Sequence, residues 1–309
     1  MNIYDSLVIG EGPAGVTAAM YLTRSGCKVL LAEQLTTGGQ ILQTAELENY
    51  PGYPKGIKGY ELADLFAAHL DGIDNLTRVV TTVEEVSGAA PNFTVKLKGK
   101  EPIQAKTVLV CTGAKHRRLG VAREEELTGH GVSYCALCDG NFFRGKDVAV
   151  VGGGNAALEE SLYLSNIVQT IHLIHRRDAF RARQIYQDRI QNNPKVKLHL
   201  SSAVSALHGD PDLTGITIQS LKDNSTTEIS CEAVFIYVGF EPVTSFLPAD
   251  LNKDPAGFIV TDTEMRTNIA GIFAAGDIRS KLCRQVITAA GDGATAAQAA
   301  FVFLEQLHA

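Results

Sequence analysis

Twice in this 309-residue chain, a short β-branched run ends in a glycine-rich turn that opens into an alanine-rich stretch, and a second apolar run follows. The first copy reads Leu7-Val8-Ile9, then Gly10-Glu11-Gly12-Pro13-Ala14-Gly15, with a helix expected from about Val16 to Ser25 and a second strand, Lys28 to Ala32, ending at Glu33. The second reads Val148-Ala149-Val150-Val151, then Gly152-Gly153-Gly154-Asn155-Ala156-Ala157, a helix to about Leu164, and a strand from Thr170 to Ile174 ending at His175-Arg176-Arg177. Gly10 and Gly152 permit the tight strand-to-helix turn, while Gly12 and Gly154 let backbone approach a pyrophosphate. Gly15 and Ala157 allow helix and strand to pack closely. The phosphates would then rest on the free amides and positive dipole of a helix N-terminus. Strands alternating with helices in this way predict an α/β chain with two parallel-sheet, dinucleotide-binding units.

The two second strands end differently. Glu33 can accept hydrogen bonds from ribose hydroxyls, as suits a dinucleotide without a 2′-phosphate. The second copy has no acid there. It offers Arg176, Arg177 and then Arg181, the donors that a 2′-phosphate requires. A closing run recurs as well, Val108 to Thr112-Gly113 in the first copy and Phe235 to Gly239 in the second. After Glu241-Pro242, a further strand over Thr267–Ala275 is expected to end in Gly276-Asp277, followed by a terminal helix from about Gln285. The expected organisation is a discontinuous first domain, 1–115 plus 245–309, with a second domain, 116–244, inserted in it.

Of six cysteines only Cys135 and Cys138 are neighbours, so the chain lacks the framework of a small disulfide-rich secreted domain. A structural zinc ion wants four ligands, and His130, His172 and His175 form no second paired cluster. A Cys-x-x-Cys pair in an α/β setting favours redox use instead. A net charge of -6 argues against nucleic-acid binding, which needs a basic face. No apolar run approaches the ~20 residues of a membrane span. Tyr4 to Gly10 enters a strand without the features of a leader, so a cytosolic location is expected.

At Cys135-Ala136-Leu137-Cys138-Asp139-Gly140 the chain closely resembles the low-molecular-weight, bacterial-type thioredoxin reductases, the class II pyridine nucleotide-disulfide oxidoreductases. The resemblance runs through both glycine loops, Gly38-Gly39-Gln40, Glu48-Asn49-Tyr50-Pro51-Gly52, His175 to Arg181, Gly276-Asp277 and Arg284-Gln285-Val286. It departs at Leu137, where the family usually carries a small polar or β-branched residue, and at Ala156, where Ser or Thr is commoner. The larger glutathione-reductase-like enzymes keep their cysteines in the flavin domain, whereas the region around Gly38-Gly39-Gln40 has none.

What the resemblance implies is a pair of Rossmann-like domains, an NADPH domain inserted in a discontinuous FAD domain, in a homodimer that reduces thioredoxin or a related small dithiol protein. It places FAD on Gly10, Gly12, Pro13, Ala14, Gly15, Glu33, Gln34, Gly38, Gly39, Gln40, Asn49, Thr112, Gly113, Gly276, Asp277, Arg284, Gln285 and Val286. NADPH falls on Gly152, Gly154, Asn155, Ala156, His175, Arg176, Arg177 and Arg181. Cys138 is the sulfur that faces the flavin, Cys135 the one that attacks thioredoxin, and Asp139 the acid/base; a turn role before Gly140 is the alternative for Asp139. A dithiol oxidase, a reductase fed by ferredoxin or another donor, and a non-turnover flavin sensor are the rival readings. The intact second loop and its arginines argue against the first two.

Overall fold

The structure, a computed structural model, describes residues 3–44 and 46–308. Its two parallel sheets repeat one strand order. In the first, Ile3–Ile9 lies between Val29–Glu33 and Ile103–Val110, all parallel, with Leu76–Val80 outside Val29–Glu33. In the second, Asp147–Gly152 lies between Thr170–His175 and Ala233–Tyr237, with Val196–Leu200 outside. Each closing strand takes one more parallel neighbour: Ile272–Ala274 beside Ile103–Val110, and Val132–Ser133 beside Ala233–Tyr237. The apolar runs seen in the sequence are the sheet centres. Leu7, Val8, Val108 and Leu109, like Val148, Ala149, Val150 and Phe235, have no exposed surface, as strands covered on both faces require.

The repeats diverge in their antiparallel additions. Phe93–Leu97 and Val83–Ser87 extend the first sheet, whereas Ser202–Gly209, Leu213–Ser220 and Thr226–Ser230 form a separate three-stranded sheet beside the second. The chain crosses between the halves through two short strands, Ala114–His116 and Phe240–Pro242, which pair with each other antiparallel.

Several elements depart from expectation. The first helix is Pro13–Arg24, starting earlier because proline at the first helical position needs no amide partner and has its φ preset. The strand expected over Thr267–Ala275 shrinks to Ile272–Ala274, because Gly271 (φ +81°) turns the chain and Thr267 donates its amide back to the Ile272 carbonyl. The terminal helix, Val286–His308, is long and apolar enough over Val286–Leu307 to cross a membrane by length and composition, contrary to the reading of apolar runs alone. Alanines raise its hydropathy, and it packs on Pro13–Arg24 at Gly293, where an added Cβ would lie 2.2 Å from the Ala14 carbonyl oxygen.

Candidate active site

Backbone shape makes the two glycine loops. Gly10 has φ +100°, and a Cβ there would stand 2.6 Å from the Cys111 carbonyl oxygen. On Gly15 it would lie 1.8 Å from the Gly10 oxygen, so strand and helix touch. At Gly12 it would meet only the Gly38 oxygen at 4.0 Å, and at Gly154 nothing within 4 Å. These two positions therefore face open space at helix N-termini. Pro13 and Ala14 begin the first helix, Asn155 and Ala156 the second.

The Glu33 carboxylate accepts from the amides of Glu11 (2.7 Å), Gln34 (2.7 Å) and Leu35 (3.0 Å). At the matching place in the second loop, the His175 ring lies so near Gly153 that a Cβ would come within 2.2 Å of it. Burial, then the neighbouring Arg181, Arg177 and Arg176, hold that imidazole below its ordinary pKa, against the raising effect of the Ala179 backbone. The three arginines are exposed beside the loop, and the Arg181 amide donates to the Gly153 carbonyl at 2.8 Å.

On the first domain, Gly38 and Gly39 (φ +117° and +59°) turn the chain over the Gly12 loop. Gln40 Nε2 donates to the Ala114 carbonyl, and Asn49 Nδ2 to Gln285 Oε1 at 3.0 Å. Gly113 (φ +64°) follows Thr112, whose Oγ1 is buried without a hydrogen-bond partner. Asp277 Oδ1 and Arg284 Nε share that condition. Burial pushes the Asp277 carboxyl up to about 6, against Lys281 and Arg284. The Gly276 amide donates to Asp292 Oδ2 at 3.1 Å, fixing this turn against the terminal helix that starts at Val286.

Cys135 and Cys138 form a disulfide with Cα atoms 5.3 Å apart, Cys135 preceding the one-turn helix Ala136–Asp139. Cys138 is only 8% exposed and Cys135 half-buried, while Leu137 between them projects outward. Asp139 Oδ2 accepts the Ser133 hydroxyl at 2.6 Å, and Oδ1 is buried and unpartnered. Burial outweighs that hydrogen bond and raises the carboxyl above its ordinary pKa. The other cysteines are free, Cys27, Cys111 and Cys231 buried and Cys283 exposed.

A cleft of about 770 Å³ separates the domains. Cys135, Cys138, Asp139, Asn155 and Ala156 line it from the inserted side. Pro13, Gln40, Asp277, Arg284, Gln285 and Val286 face them. Glu33, Gln34, His175, Arg176, Arg177 and Arg181 are not in its lining. Sequence reading missed four residues here. Arg183 donates its amide to Asn155 Oδ1 (2.8 Å), and its place in the arginine cluster was a usable signal. Ser133, Glu160 and Tyr237 sit around the redox turn with no pattern of their own to mark them.

Residues 4–293 match the family model described as pyridine nucleotide-disulphide oxidoreductase. The chain belongs to this family. A Listeria monocytogenes thioredoxin reductase is 44% identical over 308 residues, 99% of this chain and 95% of that one. The solved thioredoxin reductase of Streptococcus pyogenes superposes with a TM-score of 0.91 at 44% identity, covering 98% of this chain and 99% of that one. The Lactococcus lactis thioredoxin reductase, described as in its FR conformation, is 43% identical with the same coverages, yet its TM-score is 0.68. Family membership makes this an oxidoreductase with FAD and NADPH as its cofactors, and the residues fit both. Open faces at Gly12 and Gly154 admit pyrophosphates, and the unpartnered Thr112, Asp277 and Arg284 atoms suit a polar ligand in the first domain.

Proposed function

We propose that this chain is an NADPH-dependent disulfide reductase acting on thioredoxin, with the Cys135–Cys138 pair as its working disulfide. The observation that carries the reading is the placement of that pair in a cleft, opposite Asp277 and Gln285 and on the same domain as an arginine-flanked nucleotide loop. FAD, when bound, takes hydride from NADPH and makes two electrons available to the disulfide. Gly10, Gly12, Gly15, Gly38, Gly39 and Gln40 would hold it, together with Glu33, Asn49, Thr112, Gly113, Asp277 and the Arg284-Gln285-Val286 run. The 2′-phosphate of NADPH is assigned to Arg176, Arg177 and Arg181.

Opening the disulfide leaves one sulfur needing a proton and the other able to attack. Asp139 is the donor in this reading, because burial raises its carboxyl above the ordinary range, which favours the protonated form, and Ser133 orients it. Cys135, the more exposed residue of the pair, attacks the external disulfide through a mixed-disulfide intermediate. The domain division 1–115 plus 245–309, with 116–244 inserted, belongs to the same proposal. Two relatives of nearly equal identity superpose very differently on the whole chain, which supports an inserted domain that changes orientation. A homodimer in the cytoplasm completes the reading.

The test is NADPH consumption by the FAD-loaded protein with and without oxidised thioredoxin. Consumption that depends on thioredoxin supports the proposal. Oxygen-dependent consumption alone would make it an oxidase, and activity only with reduced ferredoxin would assign another donor.

A further inference from the structure

The short redox turn has backbone amides that its own helix cannot satisfy, because the first amides of any helix lack carbonyl partners. The Ala136 amide donates to the Tyr237 hydroxyl at 2.6 Å. The redox turn packs on Asn155–Leu164, the helix that follows the second glycine loop, where the Glu160 carboxyl lies close enough to the Leu137 amide for that amide to favour its charged form. Glu160 Oε2 is buried without a hydrogen-bond partner, and the residue lines the cleft with the two cysteines. A buried carboxylate oxygen left unpaired is unfavourable, so this group gains from carrying a proton.

The surroundings agree. Burial, then the charge of Glu159, push the Glu160 carboxyl up to about 7, against the lowering effect of the Leu137 amide. Tyr163 from its own helix, Tyr237 from the neighbouring strand and Asp139 from the redox turn contribute no cation. Glu48 faces Tyr163 from the first domain, with Arg144 near that same ring. Tyr186, from the next helix, engages Glu159, and Arg183, which precedes that helix, lies near the same ring.

We propose that Glu160 is a positioning residue for the disulfide chemistry: it fastens the redox turn to the nucleotide-binding helix through the Leu137 amide and takes up a proton when the pair is reduced. Reduction breaks the Sγ–Sγ bond with two electrons from NADPH and one proton delivered by Asp139, which is refilled from solvent. One thiol and one thiolate result. The thiolate adds negative charge on either side of Leu137, and Glu160 responds by binding one further solvent proton. Ionised, Glu160 opposes the thiolate; protonated, it does not.

The inference rests on Cys135–Cys138 being the working pair, so thioredoxin-dependent NADPH consumption is measured on the same preparations. Its absence in the wild type would sink that reading rather than this one. The FAD-loaded protein is reduced with dithiothreitol, freed of it, and treated with iodoacetamide from pH 6 to 8.5. Alkylation is followed on the Cys135 peptide by mass, which separates it from the exposed Cys283. Glu160→Gln should react roughly three- to tenfold faster than wild type at pH 8 and equally at pH 6, the effect of one carboxylate charge on a thiol pKa. Glu159→Gln leaves the Glu160 carboxyl in place and should show no gain at pH 8, while the loss of a charge that raises Glu160 should move the inflection slightly to lower pH. Coinciding profiles for wild type and Glu160→Gln would overturn the proposal, as would the same gain in Glu159→Gln. Should Glu160→Gln not fold, Glu160→Asp retracts the carboxyl from Leu137 and should move the inflection by at least about half a pH unit; an unmoved inflection counts against it.

Discussion

The two dinucleotide halves share a strand order and a loop, yet they finish the loop by opposite means. In the first, Glu33 closes it with a carboxylate that accepts the Glu11 amide at 2.7 Å. In the second, the His175 ring fills the matching place against Gly153, where no side chain would fit. A carboxylate fixes negative charge at the ribose edge, while a ring held neutral leaves the field to Arg176, Arg177 and Arg181. The helix also sits differently. Gly15 touches the Gly10 oxygen, but Ala157 keeps its methyl, fully buried. On the assignment proposed above, one scaffold reads two nucleotides by changing the residue at the end of its second strand and the loop residue that faces it.

The redox pair belongs to one half alone, so the largest effect should come from removing it. Cys135→Ser or Cys138→Ser should lower thioredoxin reduction by more than about a thousandfold. Flavin absorbance and NADPH affinity should stay unchanged, and a covalent complex with thioredoxin should form only where Cys135 remains. Loss of nucleotide binding in either variant would mean that the two functions of the inserted half are not separable.

Next comes close packing in the first loop. Gly15→Ala forces a methyl onto the Gly10 oxygen and should cost about 3 kcal/mol, read by urea unfolding, with loss of FAD on gel filtration. Replacing either Arg176 or Arg177 with Ala should raise the Michaelis constant for NADPH about ten- to hundredfold and that for NADH little, since each charge-assisted contact contributes ~1.5–3 kcal/mol. Equal changes for both cofactors would show that the arginines do not distinguish the halves. The smallest effect is the reciprocal substitution, Ala157→Gly, with a cost of about 1 kcal/mol from helix propensity and FAD binding intact.

What could be read from the sequence was local. Glycine turns, apolar runs and the Cys-x-x-Cys spacing are contiguous patterns whose geometry follows from a few φ values and a period, so the central strands of both sheets and both loops were legible, whereas the outer strands Leu76–Val80 and Val196–Leu200 and the antiparallel additions were not. The site's supporting shell was not local. Tyr237 lies under Ala136 and Glu160 under Leu137 because strands and helices far apart in the chain were brought together. Glu160 even reads as part of an ordinary solvated Glu159-Glu160 pair, and only burial separates the two. The expected strand over Thr267–Ala275 failed over its first residues. Ile272 to Ala275 are buried, but Ala270 is exposed and Gly271 turns the chain just before them, so the ladder starts only at Ile272.

The two crossing strands bear on how the molecule assembles. His116 pairs with Phe240 and Ala114 with Pro242, so the chain enters and leaves the inserted half at one point. In the first sheet, Val110 pairs with Ala274, a contact whose formation must close everything between them. If residues 116–240 are still unfolded, that closure spans the entire insert. Once the insert has folded and zipped its two ends together, the same closure involves only the few residues before Ala114 and the segment from Pro242 to Ala274. Because closure entropy grows as the logarithm of loop length, the difference is about 1.3 kcal/mol in the barrier to completing the first sheet. Chain connectivity thus favours an order of events in which the half written into the middle of the sequence folds first.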